Sequence, residues 1–334
     1  MPKISIVVPV YNCEPFLEQC LLSVQAQVLS DFEVLLVNDG STDGGGTICD
    51  RFALLDPRFR VFHKANGGVS SARNQALDAA QGECVVFIDA DDYVEPDFLT
   101  KLVEPMASHD VAVCAYDRVR PDGTQPFVLG DSGELSMKAL YEHTLCTQMV
   151  GGGCCNKAFR MALIRNFRLR FDGRIAVGED MLFLVQYYRH CRSAWLVGDV
   201  LYHYRFNQVS ATESSFAQKR VDQRTASILL AVESMAAHTD PDVAYQLNFV
   251  QFRKARSSLR LFFQMVLSRT NDPAIFSSLE RITRDSLMSF LGSNHARPLE
   301  KVVALSMAFS TRFSFAFAVR LSGALAGRLA AYRT

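Results

Sequence analysis

Within the first ninety residues of this chain, short apolar runs alternate with segments of helical period, and each run ends in a polar cluster. Ile4-Ser5-Ile6-Val7-Val8-Pro9-Val10 is a β-branched run of the kind found in buried parallel strands. Pro9 has no N–H to donate, so it should end that strand's ladder. From Glu14, the apolar positions Phe16, Leu17, Cys20, Leu21, Val24 and Val28 follow a helical period. Phe32 to Val37 reads as a second strand, and a helix through Ile48, Phe52 and Leu55 follows it. Arg60 to His63 reads as a third strand, Ser70 to Ala80 as a helix ended by Gly82, and Cys84 to Ile88 as a fourth strand. Such alternation predicts an α/β fold with a mainly parallel central sheet and helices on both faces.

Polar residues stand just past each strand: Tyr11-Asn12, Asp39-Gly40-Ser41, Asn66-Gly67-Gly68 and Asp89-Ala90-Asp91-Asp92. In an open α/β sheet this carboxyl edge is where ligands bind. One such loop would be ordinary turn chemistry, but four on one edge predict a site. Asp89-x-Asp91 can present two carboxylates to a hard divalent cation, Mn2+ or Mg2+, which prefers oxygen and shares its shell with phosphates. The sequence contains no Walker-type phosphate loop and no Gly-x-Gly-x-x-Gly after the first strand, which disfavours P-loop NTPases and dinucleotide dehydrogenases.

Lysine plus arginine and aspartate plus glutamate are equal at 35 each, so a generally basic nucleic-acid binder is not expected. The nine cysteines include no Cys-x-x-Cys pair and mostly sit in apolar runs, where reduced thiols act as small hydrophobes. A reducing cytoplasm fits that usage. The start of the sequence does not read as a signal peptide, and no uninterrupted apolar run is long enough to span a bilayer.

The ordered series VVPVYN, VNDGSTD, NGGVSSARN and FIDADD resembles the nucleotide-sugar domain of family 2 glycosyltransferases with the A-type (GT-A) fold. GGGCCNKAFR, VGEDMLF and LYHYRFNQVSAT resemble that family's acceptor-side segments in the same order. The resemblance implies a UDP-type pocket lined by Pro9, Tyr11, Asn12 and Glu14, with Asp39 accepting from the base or ribose. It also implies that Ser41 and Asp43 hold the loop, and that Asn66, Gly67, Arg73, Asp89 and Ala90 lie along the donor. Arg73 would pair with a carboxylate or phosphate of the ligand, or else bridge to Asp89 or Asp91. Asp91 is the implied metal ligand, His203 could complete its shell, and Arg205 would clamp the diphosphate. Asp180 is implied as the general base and Glu179 as the residue positioning the acceptor. The implied reaction is one in-line displacement with inversion, from a nucleotide-sugar donor to a glycan or lipid-linked acceptor, in assembly of a surface polysaccharide. Gly44-Gly45-Gly46 departs from the family pattern by losing a capping hydroxyl, which should loosen the helix start.

Other readings stay open. Asp92 could be a site residue or cap the following Val94-to-Leu102 segment. Lys157 could meet a phosphate or lie on a solvated helix face. A nucleotidyltransferase would use the same carboxylates, and a non-catalytic sugar-nucleotide scaffold would not need Asp180. The expected organisation is a nucleotide-sugar subdomain at 1–105, an acceptor subdomain at 106–215 and a helical region at 216–334. In the last, Ala217 to His238, Val243 to Leu267 and Ala274 to Phe290 read as helices. Residues 301–334 carry five basic residues and no acidic one, among phenylalanines. That composition suits peripheral contact with an anionic membrane through 299–334, on the inner face of the cell membrane. A packed or homodimer-forming helix is the alternative.

Overall fold

The computed structural model describes residues 3–206, 221–268 and 272–309. The chain divides into two compact units, residues 1–207 and 208–334. In the first unit the expected alternation appears as β1 (Ile4–Val10), α1 (Glu14–Gln25), β2 (Phe32–Asn38), α2 (Gly45–Leu55), β3 (Phe59–His63), α3 (Val69–Ala79) and β4 (Cys84–Phe87). These four strands pair in parallel in the order β3-β2-β1-β4. Nearly every side chain of β1, β2 and β4 is buried, which is why they read as continuous apolar runs.

Pro9 ends the ladder on one side only. Ile88 N–H donates to the Val7 carbonyl, and pairing of β1 with β4 stops there, where Pro9 has no N–H to offer. On the other side β1 pairs with β2 through Val10.

The sheet then becomes mixed. The elements are β5 (Tyr93–Val94), α4 (Phe98–Val103), β6 (Val111–Arg120), β7 (Gly123–Phe127), β8 (Gly133–Leu135), α5 (Met137–Glu142), β9 (Lys157–Arg160), α6 (Met161–Asn166), α7 (Glu179–Tyr188) and β10 (Ala194–Arg205). The strand order continues from β4 through β9, β6 and β10 to β5. The antiparallel β9 joins the parallel N-terminal half to the β6–β10 pair, which is itself parallel. β10 runs to Arg205, so His203 and Arg205 lie on a strand. A cluster of aromatic rings, Phe87, Phe159, Phe171 and Phe183, packs β4 and β9 against α7. All nine cysteines are free thiols, and eight are buried.

The second unit consists, among the described residues, of α8 (Gln223–Ala237), α9 (Ala244–Ser268), α10 (Pro273–Leu291) and α11 (Pro298–Phe309). The side chains of Asp222 and Asp272 cap α8 and α10. Phe252 stacks on Phe290 at 5.3 Å, and Arg256 ties α9 to Glu300 of α11 at 3.1 Å. No helix among the described residues is long and apolar enough to cross a membrane. Residues 207–220 and 310–334, with Ser210 and most of the basic tail, lie outside the described residues.

Candidate active site

The carboxyl ends of β1 and β2 form the first wall of the site. Tyr11 is half exposed at the end of β1, and Asn12 takes a left-handed φ of 47°, which asparagine tolerates. Asn12 N–H donates to Ser41 Oγ at 3.2 Å, and Thr42 N–H donates to Asn12 Oδ1 at 2.8 Å. The two loops are thus tied together across the strand ends.

Glu14 and Asp43 work as a reciprocal pair. Glu14 N–H donates to Asp43 Oδ2 at 2.9 Å, while Gly44 N–H donates to Glu14 Oε2 at 2.8 Å. Glu14, in the first turn of α1, therefore binds the start of α2. A Cβ at Gly44 would lie 2.5 Å from Glu14 Oε1, so glycine is what admits this carboxylate. In place of the missing hydroxyl, a carboxylate from α1 accepts at the helix start.

Asp39 is buried and faces inward. It accepts from Gly67 N at 2.9 Å, from Gly68 N at 2.7 Å and from Lys64 Nζ. Much of its acceptor capacity therefore shapes the Asn66–Gly68 loop, leaving less for a base or ribose. Asn66 and Gly67 are exposed beside it. Lys64 was missed in the sequence, although it directly follows β3 at the edge where the other polar clusters stand. Gly40, at φ 74°, lets this loop close, since a Cβ there would meet Asn66 N at 2.8 Å.

The Asp89–Asp92 loop follows β4. The Tyr202 hydroxyl accepts from Asp89 N–H at 3.2 Å and donates to Asp92 Oδ2 at 2.5 Å. Asp92 also accepts from Arg205 N–H at 2.8 Å. It is buried and does not cap the next segment; α4 begins after Asp97. Burial, and then the neighbouring Asp91 and Asp89, push its carboxyl well above the ordinary range. Ala90 is buried between them.

Arg73 joins the two halves of the site. Its buried guanidinium donates to Asp89 Oδ1 at 3.0 Å, to Asp180 Oδ1 at 2.5 Å and to Glu179 Oε1 at 3.2 Å. It also lies over the Phe171 ring, 5.2 Å from the centroid. Of the alternatives for Arg73, the bridge to Asp89 is present, and Glu179 and Asp180 are added to it. Glu179 and Asp180 begin α7, where carboxylates are favoured by the helix dipole. Burial, with Asp180 adding to it, pushes Glu179 up to about 7 against the pull of Arg73. Burial also raises Asp180, which Arg73 opposes.

His203 sits between two carboxylates: Nδ1 meets Asp117 Oδ1 and Nε2 meets Glu95 Oε1, each at 2.9 Å, and the ring stacks on Tyr93 at 4.5 Å. To ligate a cation it would have to give up one of these partners. Lys157 is neither at a phosphate nor on a solvated helix face. It starts β9, is fully buried, and its Nζ is ringed by backbone carbonyls. Arg205 lies over the rings of Phe16 and Tyr93, at 5.2 and 5.3 Å, and donates to Gln19.

Asp89 and Asp91 suit a cation that takes most of its shell from a ligand. Both are half buried, and their charge is what adds to the proton affinity of Asp92. Among the described residues no three His, Cys, Asp or Glu side chains form a cage for a metal. One or two carboxylates completed by phosphates is the usual arrangement for Mg2+.

Residues 5–168 match the family model described as Glycosyl transferase family 2. This stretch, just under half of the chain, is similar to the domain of that family. Two relatives from Bacillus subtilis (strain 168), both named as glycosyltransferases, extend the likeness beyond it. EpsJ is 36% identical over 220 residues and EpsH 33% over 217. Each match covers 64% of this chain, and 64% of EpsJ or 63% of EpsH, so the chain spans a little under two thirds of their lengths. The fold is that of S. aureus TarS (residues 1–349, in complex with UDP-GlcNAc), with a TM-score of 0.70 and 20% identity, covering 98% of this chain and 92% of that one.

Proposed function

We propose that the protein transfers a sugar from a UDP-sugar to a hydroxyl of a glycan or lipid-linked acceptor, with inversion, in assembly of a surface polysaccharide. The observation that carries this reading is the Arg73 guanidinium, which joins the donor-side Asp89 to Glu179 and Asp180 at the start of α7. A displacement at an anomeric carbon needs a leaving diphosphate on one face and a base on the other. The first group belongs with Asp89 and Asp91, the second with Asp180. The donor seen with TarS supports a UDP-sugar as the first to try.

Tyr11 offers an exposed ring face to a uracil, and Asn12 and Ser41 hold the loop around it. Asp91, with Asp89 beside it, would hold Mn2+ or Mg2+, which supplies positive charge against a leaving diphosphate. Asp180 takes the proton from the acceptor hydroxyl, and Glu179 positions that hydroxyl. Arg73 holds both carboxylates in place and carries no proton in the reaction. In this scheme residues 1–105 bind the donor and 106–215 the acceptor. Residues 216–334 form the third region, and its basic end, most of which lies outside the described residues, would contact the inner face of the cell membrane.

Titration of UDP with and without Mn2+ tests the donor half. Asp91→Ala should lose the Mn2+-dependent gain in UDP affinity. An undiminished gain would remove Asp91 from the metal site.

A further inference from the structure

Lys157 is an unusual buried cation. Its side chain is fully enclosed, and no carboxylate among the described residues lies within hydrogen-bond distance of it. Nζ instead meets four oxygens: Val150 O at 2.7 Å, Gly153 O at 2.8 Å, Gly151 O at 3.2 Å and Asn156 Oδ1 at 2.7 Å. Burying an ammonium is costly unless its hydrogens are satisfied. Here they are satisfied by three carbonyls of one turn, which is thereby wrapped around the lysine.

The other side of that turn faces α7. A Cβ on Gly152 would lie 3.4 Å from Met181 Cγ. Apart from its own chain neighbours, a Cβ on Gly153 would meet one heavy atom within 4 Å among the described residues, Asp180 Oδ2 at 3.4 Å, and the Cys154 backbone N–H also donates to the Asp180 carboxylate. Asp180 Oδ1 is held by Arg73, so Oδ2 is the oxygen turned toward the glycine. Gly151, Gly152 and Gly153 are all partly exposed.

We infer that the Val150–Gly153 turn is the acceptor wall of the site, with bare Gly153 leaving beside Asp180 Oδ2 the space an attacking hydroxyl occupies, and Lys157 acting as the positioning residue that holds the wall. This rests on the reading of Asp180 as general base. It also explains why glycine stands at a position whose backbone does not need it: Gly153 does not adopt a positive φ.

The titratable groups facing Lys157 are the thiols of Cys154 and Cys155 in the same segment, Cys114 on β6 and Asp180 on α7. Burial pushes Lys157 down to about 8. Its charge is therefore lost as pH rises through that value, and the grip on the turn weakens in the same range.

The test uses the full chain with Mn2+ and three donors, UDP-GlcNAc, UDP-glucose and UDP-galactose, measuring UDP release to water. Gly153→Val should cut turnover at least tenfold while UDP affinity stays within twofold. Lys157→Met should lower kcat by a similar factor without moving the donor KM, and should abolish the alkaline limb near pH 8. Amide hydrogen exchange reads the tie without turnover: Lys157→Met should speed exchange across residues 150–153 at least tenfold and leave β1 and β2 unchanged. Unchanged exchange there would overturn the positioning role, whatever the assay gives. Where Lys157→Met does not fold, Gly153→Val decides, and wild-type turnover in it would overturn the acceptor wall. Asp180→Asn is run alongside. If it is slow while Gly153→Val and Lys157→Met keep wild-type kcat, the wall alone is wrong; if it turns over normally, the base assignment is wrong.

Discussion

Arg73, Asp89 and Asp180 show how far single residues can be read from a sequence. Each was visible as a candidate because its type suits the chemistry and it stands at a strand end or helix start. The Arg73–Asp89 bridge was among the readings, but the contact with Asp180 was not visible, because Arg73 and Asp180 are 107 positions apart and only the folded sheet brings them within 2.5 Å. The surroundings of Lys157 and His203 were hidden for a related reason. A charged or basic side chain in sequence suggests a ligand, whereas here carbonyls and carboxylates of distant segments already surround both. Removing Arg73 would leave three partly buried carboxylates without their cation. Breaking a buried pair in this way costs about 3–5 kcal/mol, so Arg73→Met should lower the melting temperature strongly as well as the activity. An unchanged melting temperature would mean that water, and not Arg73, already compensates these charges. Glu179 gives a signed pH prediction. Its folded value of about 7 lies above its ordinary 4.5, so the folded protein holds this proton more tightly than the unfolded chain. That preference is fully present below pH 4.5 and is lost as pH rises through 7. Glu179→Gln mimics the protonated state, so its melting temperature relative to wild type should climb between pH 4.5 and 7 and then level off. A difference independent of pH would contradict the shift.

Among the elements, β1 to β4 and the helices between them were legible because buried parallel strands and amphipathic helices leave different periods. The later strands were not. β5 is two residues long and β9 only four, too short to show a period, and β7 is mostly exposed. Pairing with β6 carries β10 on to Arg205. That extension explains His203. It pairs with Tyr93 in the β5–β10 ladder, and its ring bridges Asp117 of β6 to Glu95, next to β5. His203 therefore braces the strand that leaves the Asp89–Asp92 loop. His203→Gln should lower the melting temperature yet keep the Mn2+-dependent gain in UDP affinity within about threefold, a change of under 1 kcal/mol. Loss of the metal response at an unchanged melting temperature would restore His203 as a ligand.

At the scale of the whole molecule, every residue assigned to the site lies in the first unit, residues 1–207. The second unit carries helices and no proposed catalytic group, so its part in the proposal is attachment. Five basic residues in the tail are each worth about 1 kcal/mol near an anionic surface. Flotation of the full chain with anionic vesicles should therefore succeed at low salt and fail at high salt, as screening requires; no flotation at low salt would end the membrane reading and leave the transferase site untouched. The central claim is that the carboxylates joined by Arg73 form one sugar-transfer site with Asp180 as its base. The most direct test is the rate of UDP release from a saturating UDP-sugar, for Asp180→Asn against the unaltered chain. Saturation separates turnover from donor binding. Asp180→Asn should fall by about 10²-fold or more, the usual worth of a general base. Equal rates in the two proteins would contradict that claim.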